Sequence, residues 1–371
     1  MDLLLVEPFF SDSHRQWAEG YRRYSAHDVA LLSLPGRHWK WRMAAGALPL
    51  AEQWLARPEL SPELVLATDM LDLPTFLSLS RGRSQGLPTA LYFHENQITY
   101  PWSPTDPDVQ KGRDHHYGLL NLKSALVADR VFFNSHFHRR SFLEALPGFL
   151  GSFPDYRHPA ALDVLVEKCE VLPLGLDLQA LLLPGQGPAF FKEAPLLLWN
   201  HRWEYDKNPE AFFQLCYRLK ASGLPFQLVV LGKSYGRVPA CFAEAREKLK
   251  DQIAFMGWVE SRDAYRYWLQ QADILPVTSR QDFFGASVVE AVYANVYPLL
   301  PRRLAYPEHI PPEQQDAHLY RDEEDLYART AELIRSWPKW RGRSSFRRFV
   351  QHYDWRTLAP VYDERFLNLT K

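Results

Sequence analysis

The sequence predicts an α/β protein built from two parallel-sheet domains. Three observations predict it. Short apolar runs alternate with amphipathic stretches through the first half, the βαβ rhythm of a parallel sheet. The rhythm breaks at Gly185–Pro195, which reads Gly-Gln-Gly-Pro-Ala-Phe-Phe-Lys-Glu-Ala-Pro, a linker-like shift in composition, and then starts again. A length of 371 residues is enough for about two domains, each with its own core.

In the first half the strands are read at Leu3–Val6, Val29–Leu32, Leu64–Ala67, Ala90–Phe93 and Val131–Phe133, with a helix after Ser13. They run out into polar residues: Glu7, Thr68-Asp69, His94-Glu95-Asn96 and Asn134-Ser135. Ligands of open parallel sheets bind at these carboxyl ends. The second series has strands at Leu196–Trp199, Gln227–Leu231, Ile253–Met256, Ile274–Val277 and Tyr297–Leu300, with helices opening near Pro209, Pro239, Arg262 and Ala286. Asn208-Pro209 reads as a helix start, with Asn as cap and Pro in the first turn. We place the first domain at 1–178 and the second at 179–345. The final segment, 346–371, is read as a C-terminal helix that could pack back on the first domain.

Composition narrows the function. The formal net charge is −1, so a polyanionic partner has to be met by local patches rather than by a global field. Cys169, Cys216 and Cys241 are odd in number and lack metal-ligand spacing, which points to free thiols and a reducing compartment. No stretch approaches the ~20 apolar residues of a membrane span and no leader-like segment opens the chain, so the expectation is a cytoplasmic protein. The first strand-to-helix turn, Glu7 to His14, has no Gly-x-Gly-x-x-Gly, which disfavours nicotinamide chemistry.

The richest stretch is Gln281-Asp282-Phe283-Phe284-Gly285-Ala286-Ser287-Val288-Val289-Glu290. A loop carboxylate, a Gly-Ala turn with bare N–H groups at a helix start, and a second carboxylate further in suit a sugar, a diphosphate and a ribose. The competing reading makes Asp282 a solvated loop acid and Glu290 an exposed helix residue. Two other strand ends carry cations: Arg202, which can fork onto phosphate oxygens, with Lys207, and the Gly232-Lys233 turn. His94, at a strand end, is a candidate hydrogen-bonder or proton shuttle, or a structural histidine. Arg37-His38-Trp39-Lys40-Trp41-Arg42 interleaves cations with aromatics, as a surface that stacks on bases would. Lys339-Trp340-Arg341-Gly342-Arg343 with Arg347-Arg348, and Arg139-Arg140, are further basic regions; each by itself reads as a solvated face or a membrane-surface patch, and together they leave room for RNA.

Several stretches together resemble one family. Glu7-Pro8-Phe9-Phe10 with Ser13-His14, Trp39-Lys40-Trp41-Arg42, Phe93-His94-Glu95-Asn96-Gln97, Tyr117-Gly118, Phe133-Asn134-Ser135, Gly175-Leu176-Asp177, Phe283-Phe284-Gly285 and Tyr306-Pro307-Glu308 look like the tRNA-queuosine alpha-mannosyltransferases, which are retaining GT-B glycosyltransferases. Phe-Phe-Gly with two spaced carboxylates is common to many glycosyltransferases, whereas His-Glu-Asn-Gln and Trp-Lys-Trp-Arg are particular to this group. The resemblance implies two Rossmann-like domains with a cleft between them, and transfer of mannose from GDP-mannose to the cyclopentene-diol of queuosine in tRNA. It implies donor contacts from Arg202, Lys207, Gly232, Lys233, Phe284, Gly285, Ala286 and Ser287, the base held around Gly257-Trp258-Val259, the ribose by Glu290 and the sugar by Asp282. His94, Asp282, Arg202 and Lys207 are then the catalytic group. Ser13, His14, Trp39, Lys40, Trp41, Arg42, Glu95 and Asn96 are the acceptor side, and neither a metal nor a cofactor is called for. The chain departs from the family where Ser11-Asp12 stands for Gly-Gly and Gln281-Asp282 for His-Glu; Asp withdraws the carboxylate by one methylene. Two alternatives stay open: transfer to a lipid or glycan acceptor, and a catalytically silent binding protein.

Overall fold

In a computed structural model the chain is described over residues 1–103, 106–111, 115–155, 157–158, 160–185, 187, 192–234, 238–337, 339–340 and 346–371. It forms two compact units, one of Met1–Leu176 with Trp355–Lys371 and one of Asp177–Asp354. Arg341 and Arg343 lie outside the described residues, as does part of the Gly185–Pro195 stretch.

The first unit carries β1 (Asp2–Phe10), β2 (Asp28–Pro35), β3 (Leu64–Thr68), β4 (Thr89–Phe93), β5 (Arg130–Phe133) and β6 (Cys169–Val171). They form one parallel sheet in the order β2-β1-β3-β4-β5-β6. Leu3 to Val6 and all of β3 and β4 are buried, because helices cover both faces and the strands need no polar side. The helix Asp12–Tyr24 turns His14, Trp17, Ala18 and Tyr21 inward, an i, i+3, i+4, i+7 stripe whose first member is polar. The strand β6 has no counterpart in the sequence reading: its three residues, Glu170 among them, follow their helix without a break and leave no periodic signal.

The second unit carries β7 (Leu196–Asn200), β8 (Gln227–Leu231), β9 (Ile253–Gly257), β10 (Ile274–Pro276), β11 (Tyr297–Pro301) and the two-residue β12 (Leu319–Tyr320). The order is β12-β11-β10-β7-β8-β9. The helices Pro209–Ala221, Cys241–Lys248, Arg262–Gln271 and Ala286–Tyr293 follow the strands. Asn208 does not cap its helix with its side chain as expected; it takes a left-handed conformation (φ 52°) that Asn tolerates, and its carbonyl accepts the Thr278 hydroxyl at 2.9 Å.

The final segment is not one helix. Arg347–Val350 and Gln351–Tyr353 stay with the second unit, and Arg347 Nε donates to the Tyr293 carbonyl. The helix Trp355–Leu367 belongs to the first unit, where it buries Trp355, Leu358, Ala359, Tyr362 and Phe366. Its anchor is the Trp355 indole, which lies against two glycines: a Cβ on Gly20 would sit 2.1 Å from the indole nitrogen and one on Gly175 2.4 Å from its ring. Gly20→Ala is therefore expected to push the tryptophan out of place and destabilise the first unit by roughly 1–3 kcal/mol. Thermal unfolding checks this against Gly82→Ala, whose Cβ would meet nothing within 4 Å. Cys169 and Cys216 are buried free thiols and Cys241 is a half-buried one. Among the described residues no helix is long and apolar enough to cross a membrane.

Candidate active site

In each sheet the strand order reverses at one point: between β1 and β3 in the first and between β7 and β10 in the second. Crevices form there, beyond the strands' carboxyl ends. Both points hold buried polar groups.

At the second sheet, β7 delivers Asn200, His201, Arg202 and, through a short 3-10 turn, Asp206 and Lys207. β10 delivers Gln281, Asp282 and the helix beginning at Ala286. Lys207 Nζ is buried and donates to Asp282 Oδ1 at 3.0 Å and to the Gln281 carbonyl at 2.8 Å, with Asp206 Oδ2 at 3.2 Å. Burial pulls this ammonium down, but Asp282 and Asp206 outweigh it and hold it above its ordinary value. Burial likewise pushes Asp282 up, and Lys207, His201 and the Tyr306 hydroxyl, which donates to Oδ2 at 2.6 Å, bring it below the usual carboxylate range. The two act as a fixed ion pair. The reading of Asp282 as a solvated acid is thereby excluded.

Gly285 (φ 88°, ψ 52°) starts the helix Ala286–Tyr293 in the left-handed conformation that glycine adopts without strain, and no side chain caps its first N–H groups. Ser287 Oγ lies 3.0 Å from His201 Nδ1, and the Ser287 carbonyl accepts Asn200 Nδ2 at 2.8 Å, so strand and helix are stitched together. Burial drives His201 down to about 4; the ring is neutral near pH 7, and its Nε2 is buried with no hydrogen-bond partner among the described residues. Phe284 is buried against His309 and Tyr353, with its carbonyl held by His309 at 2.6 Å; its side chain serves the fold rather than an open surface.

Glu290 is buried, which excludes its reading as an exposed helix residue. Its Oε1 accepts Arg262 Nη2 at 3.1 Å and its Oε2 the Tyr265 hydroxyl at 2.7 Å. Sequence reasoning missed both partners. The available signal was their spacing: Arg262 and Tyr265, three apart at a helix start, share one face.

Arg202 differs from Lys207. Its side chain is 48% exposed and pairs with Glu204 at 3.1 Å, with Asp206 at 3.9 Å. Gly232 lies under β7, where a Cβ would be 2.1 Å from the His201 carbonyl. Lys233 Nζ is 5.4 Å from the Trp258 ring centroid, and Trp258 is 52% exposed beside Gly257 and half-buried Val259. The structure thus gathers the residues chosen on β7, β8, β9 and β10 around one sheet edge.

On the first sheet, Glu7 from β1 is fully buried, with Oε2 2.9 Å from His14 Nδ1. The His14 and His94 rings are 4.1 Å apart, and the His94 N–H donates to Asp69 Oδ1 at 2.8 Å. Glu7 and Asp69 were noted only as strand ends, since nothing local marks which strand ends become neighbours. Among the described residues Glu7, His14 and His94 are the set whose ligand atoms, within 4.8 Å of one another, come close enough for a metal. The two histidine rings are tilted by 36° to each other, and within the set His14 Nδ1 is engaged by Glu7 Oε2 while Glu7 Oε1 accepts the Phe9 N–H.

The rest of the expected acceptor group divides. Ser13 is exposed and Glu95 half-buried, its Oε1 accepting from Gln97 Nε2. Asn96 is buried, and its Oδ1 accepts from the Ile98 and Thr99 N–H groups, so it builds the loop after β4 rather than a contact surface. Trp39 packs on Trp102 and Tyr117, and Lys40 Nζ is bound between Asp106 (2.6 Å) and Asp108 (2.5 Å). Arg42 Nε donates to the Pro35 carbonyl. Trp41, 64% exposed, is the member of the Trp-Lys-Trp-Arg stretch that offers its ring to solvent. Arg139 of the basic Arg139-Arg140 pair is spent on the Cys169 carbonyl, while Arg140 is exposed.

Comparison with known proteins agrees with this layout. Residues 2–176 match the tRNA-queuosine alpha-mannosyltransferase N-terminal domain, and residues 186–341 match the glycosyl transferases group 1 domain. Among solved structures, a sucrose-phosphate synthase from Thermosynechococcus elongatus superposes with TM-score 0.73 at 14% identity, covering 100% of this chain and 99% of its own. HepE from Anabaena in complex with UDP gives TM-score 0.67 at 13% identity, covering 99% and 100%. These likenesses show the fold, the GT-B architecture of two parallel α/β sheets. A tRNA-queuosine alpha-mannosyltransferase from Drosophila melanogaster is 32% identical over 318 residues, 84% of this chain and 82% of that one. With that extent of identity, and with separate domain matches on the two halves, the chain is a glycosyltransferase belonging to the tRNA-queuosine alpha-mannosyltransferase family.

Proposed function

We propose that the protein transfers mannose from GDP-mannose to the cyclopentene-diol of queuosine in tRNA, with retention at the anomeric carbon. The observation that supports it most, beside family membership, is the Lys207–Asp282 pair next to the uncapped Gly285 helix start at the reversal of the second sheet. A helix N-terminus and a fixed ammonium favour negative charge, and the charge that grows during transfer is on the departing diphosphate. Arg202 joins them when phosphate replaces its exposed contact with Glu204, an exchange that costs little because surface ion pairs are weak. Asp282 holds Lys207 in place and turns its remaining lone pairs to the sugar hydroxyls. Glu290, with Arg262 and Tyr265 behind it, takes the ribose, and the base lies by Gly257, Trp258 and Val259. The diphosphate oxygen on the face of departure accepts the acceptor's proton, so the protein supplies position and charge rather than a base. On the first unit, His94 is the catalytic candidate and takes the hydrogen bond of the acceptor hydroxyl.

The reading is tested with purified protein, queuosine-containing tRNA and a series of nucleotide sugars, followed by mass analysis of the tRNA nucleosides. A hexose added to queuosine from GDP-mannose and not from UDP-glucose is the expected result. Hydrolysis of the donor with no modified queuosine would point to another acceptor, and no turnover of any donor to a binding protein. Within the same assay Trp41→Ala is expected to weaken tRNA binding by roughly 1–3 kcal/mol, the worth of one stacking contact, with GDP affinity unchanged. Trp39→Ala, by contrast, opens a cluster with Trp102 and Tyr117 and is expected to lower the melting temperature.

A further inference from the structure

We propose that Glu7 and His14 form a positioning pair that keeps the His94 imidazole neutral and oriented at the end of β4. This rests on the assignment of His94 to the acceptor, and it adds two residues that act through His94 without touching substrate themselves.

The geometry leaves the pair little freedom. Glu7 has no exposed surface; its Oε1 accepts the Phe9 N–H at 2.7 Å and its Oε2 the His14 Nδ1–H at 2.9 Å. A carboxylate that is fully buried needs a counter-charge, and His14, itself buried on the first turn of its helix, is the partner placed to carry it. The proton therefore resides on His14, making a Glu7 carboxylate–imidazolium pair. The imidazolium lies 4.1 Å from the His94 ring, centroid to centroid, and at that distance inside protein one charged imidazole strongly opposes a second.

His94 is also fixed on its other sides. Trp17 meets its ring edge-on at 4.7 Å and Tyr92 at 5.0 Å. Its backbone N–H donates to Asp69, its carbonyl accepts Asn134 Nδ2 at 2.8 Å, and its Nε2 is buried with no hydrogen-bond partner among the described residues. Among the described residues the charged and titratable groups around it are Glu7 from β1, His14 from the first helix, Asp69 after β3, Tyr92 and Glu95 on its own segment, His138 from the helix His136–Gly151, and Tyr362 from the C-terminal helix by way of Tyr92. The balance among them agrees with the geometry. Burial pulls His14 down, yet Glu7, with Asp69 and Glu95 adding to it, more than offsets this and lifts His14 to about 9. Burial, then His14 and His138, take His94 well below its ordinary value. A neutral imidazole keeps one nitrogen as acceptor and one as donor, so His94 can take a hydroxyl's hydrogen bond across the whole neutral range.

The test is a histidine-ring NMR titration of the full-length protein, which needs no substrate, paired with the pH profile of kcat/KM for tRNA. One histidine is expected to titrate near 9 and to disappear in His14→Gln. In that variant the His94 resonance should move up by on the order of one to three pH units, and the acid limb of the profile should follow it. Glu7→Gln should do the same by releasing the proton from His14, whereas His14→Lys, which restores the cation, should keep both near wild type. His14 titrating in the ordinary range of about 6–7, or His94 unmoved in His14→Gln, would overturn the proposal. So would a metal ion that copurifies with the wild type and is lost in His14→Gln. If the rings titrate as expected while tRNA is not a substrate, the positioning pair stands and the acceptor assignment falls.

Discussion

Lys207→Ala is expected to lower turnover by roughly 10²–10³-fold and to destabilise the second unit at the same time. The two losses have separate causes. The ammonium holds Asp206, Asp282 and the Gln281 carbonyl together in a buried site, and its removal takes the cation from Asp282 and the nearer of two cations from Asp206. Breaking a buried ion pair in this way costs about 3–5 kcal/mol, far more than the pair itself contributes over an apolar replacement. The kinetic loss arises because the charge on the departing diphosphate grows in the transition state and the group fixed to meet it is gone. Arg202→Ala provides the contrast. Arg202 is half exposed and its partner Glu204 can be solvated, so the variant should melt as wild type and lose turnover alone. Thermal unfolding and single-turnover kinetics below the variant's transition separate the two terms. A Lys207→Ala protein that melts lower but turns over normally would reduce Lys207 to a structural residue.

Glu290→Gln is expected to weaken GDP and GDP-mannose by the same factor, about ten- to a hundredfold, corresponding to the roughly 1.5–3 kcal/mol of one charge-assisted hydrogen bond. The factor is the same because the ribose is common to both ligands. Glutamine preserves the shape of the side chain but removes the charge that Arg262 meets at 3.1 Å, and Tyr265 loses its charged acceptor. Arg262→Ala should therefore weaken the same ligands in the same direction, acting through Glu290. Calorimetric titration with GDP checks both. Full affinity in Glu290→Gln would remove the ribose assignment, and full affinity in Arg262→Ala alone would mean that Glu290 holds its place without help.

The sequence by itself determined the two α/β sheets, ten of the strands in them, and the Gly285 turn, because apolar runs, their spacing and turn residues are local signals. It also carried the family resemblance, in stretches such as His94-Glu95-Asn96-Gln97 that keep their order along the chain. Tertiary structure decided which charges meet. Lys207 and Asp282 are 75 positions apart, and Glu290 and Arg262 are 28 apart; each pair becomes adjacent because strand order brings separate loops, and the helices that follow them, to one sheet edge. The same holds for His14 and His94, and for Lys40, which composition offered to a nucleic acid and the fold gave to Asp106 and Asp108. A residue's type is written locally, but its burial and its partner follow from packing between distant segments, and those two properties set whether a charge is free to meet a ligand or already neutralised.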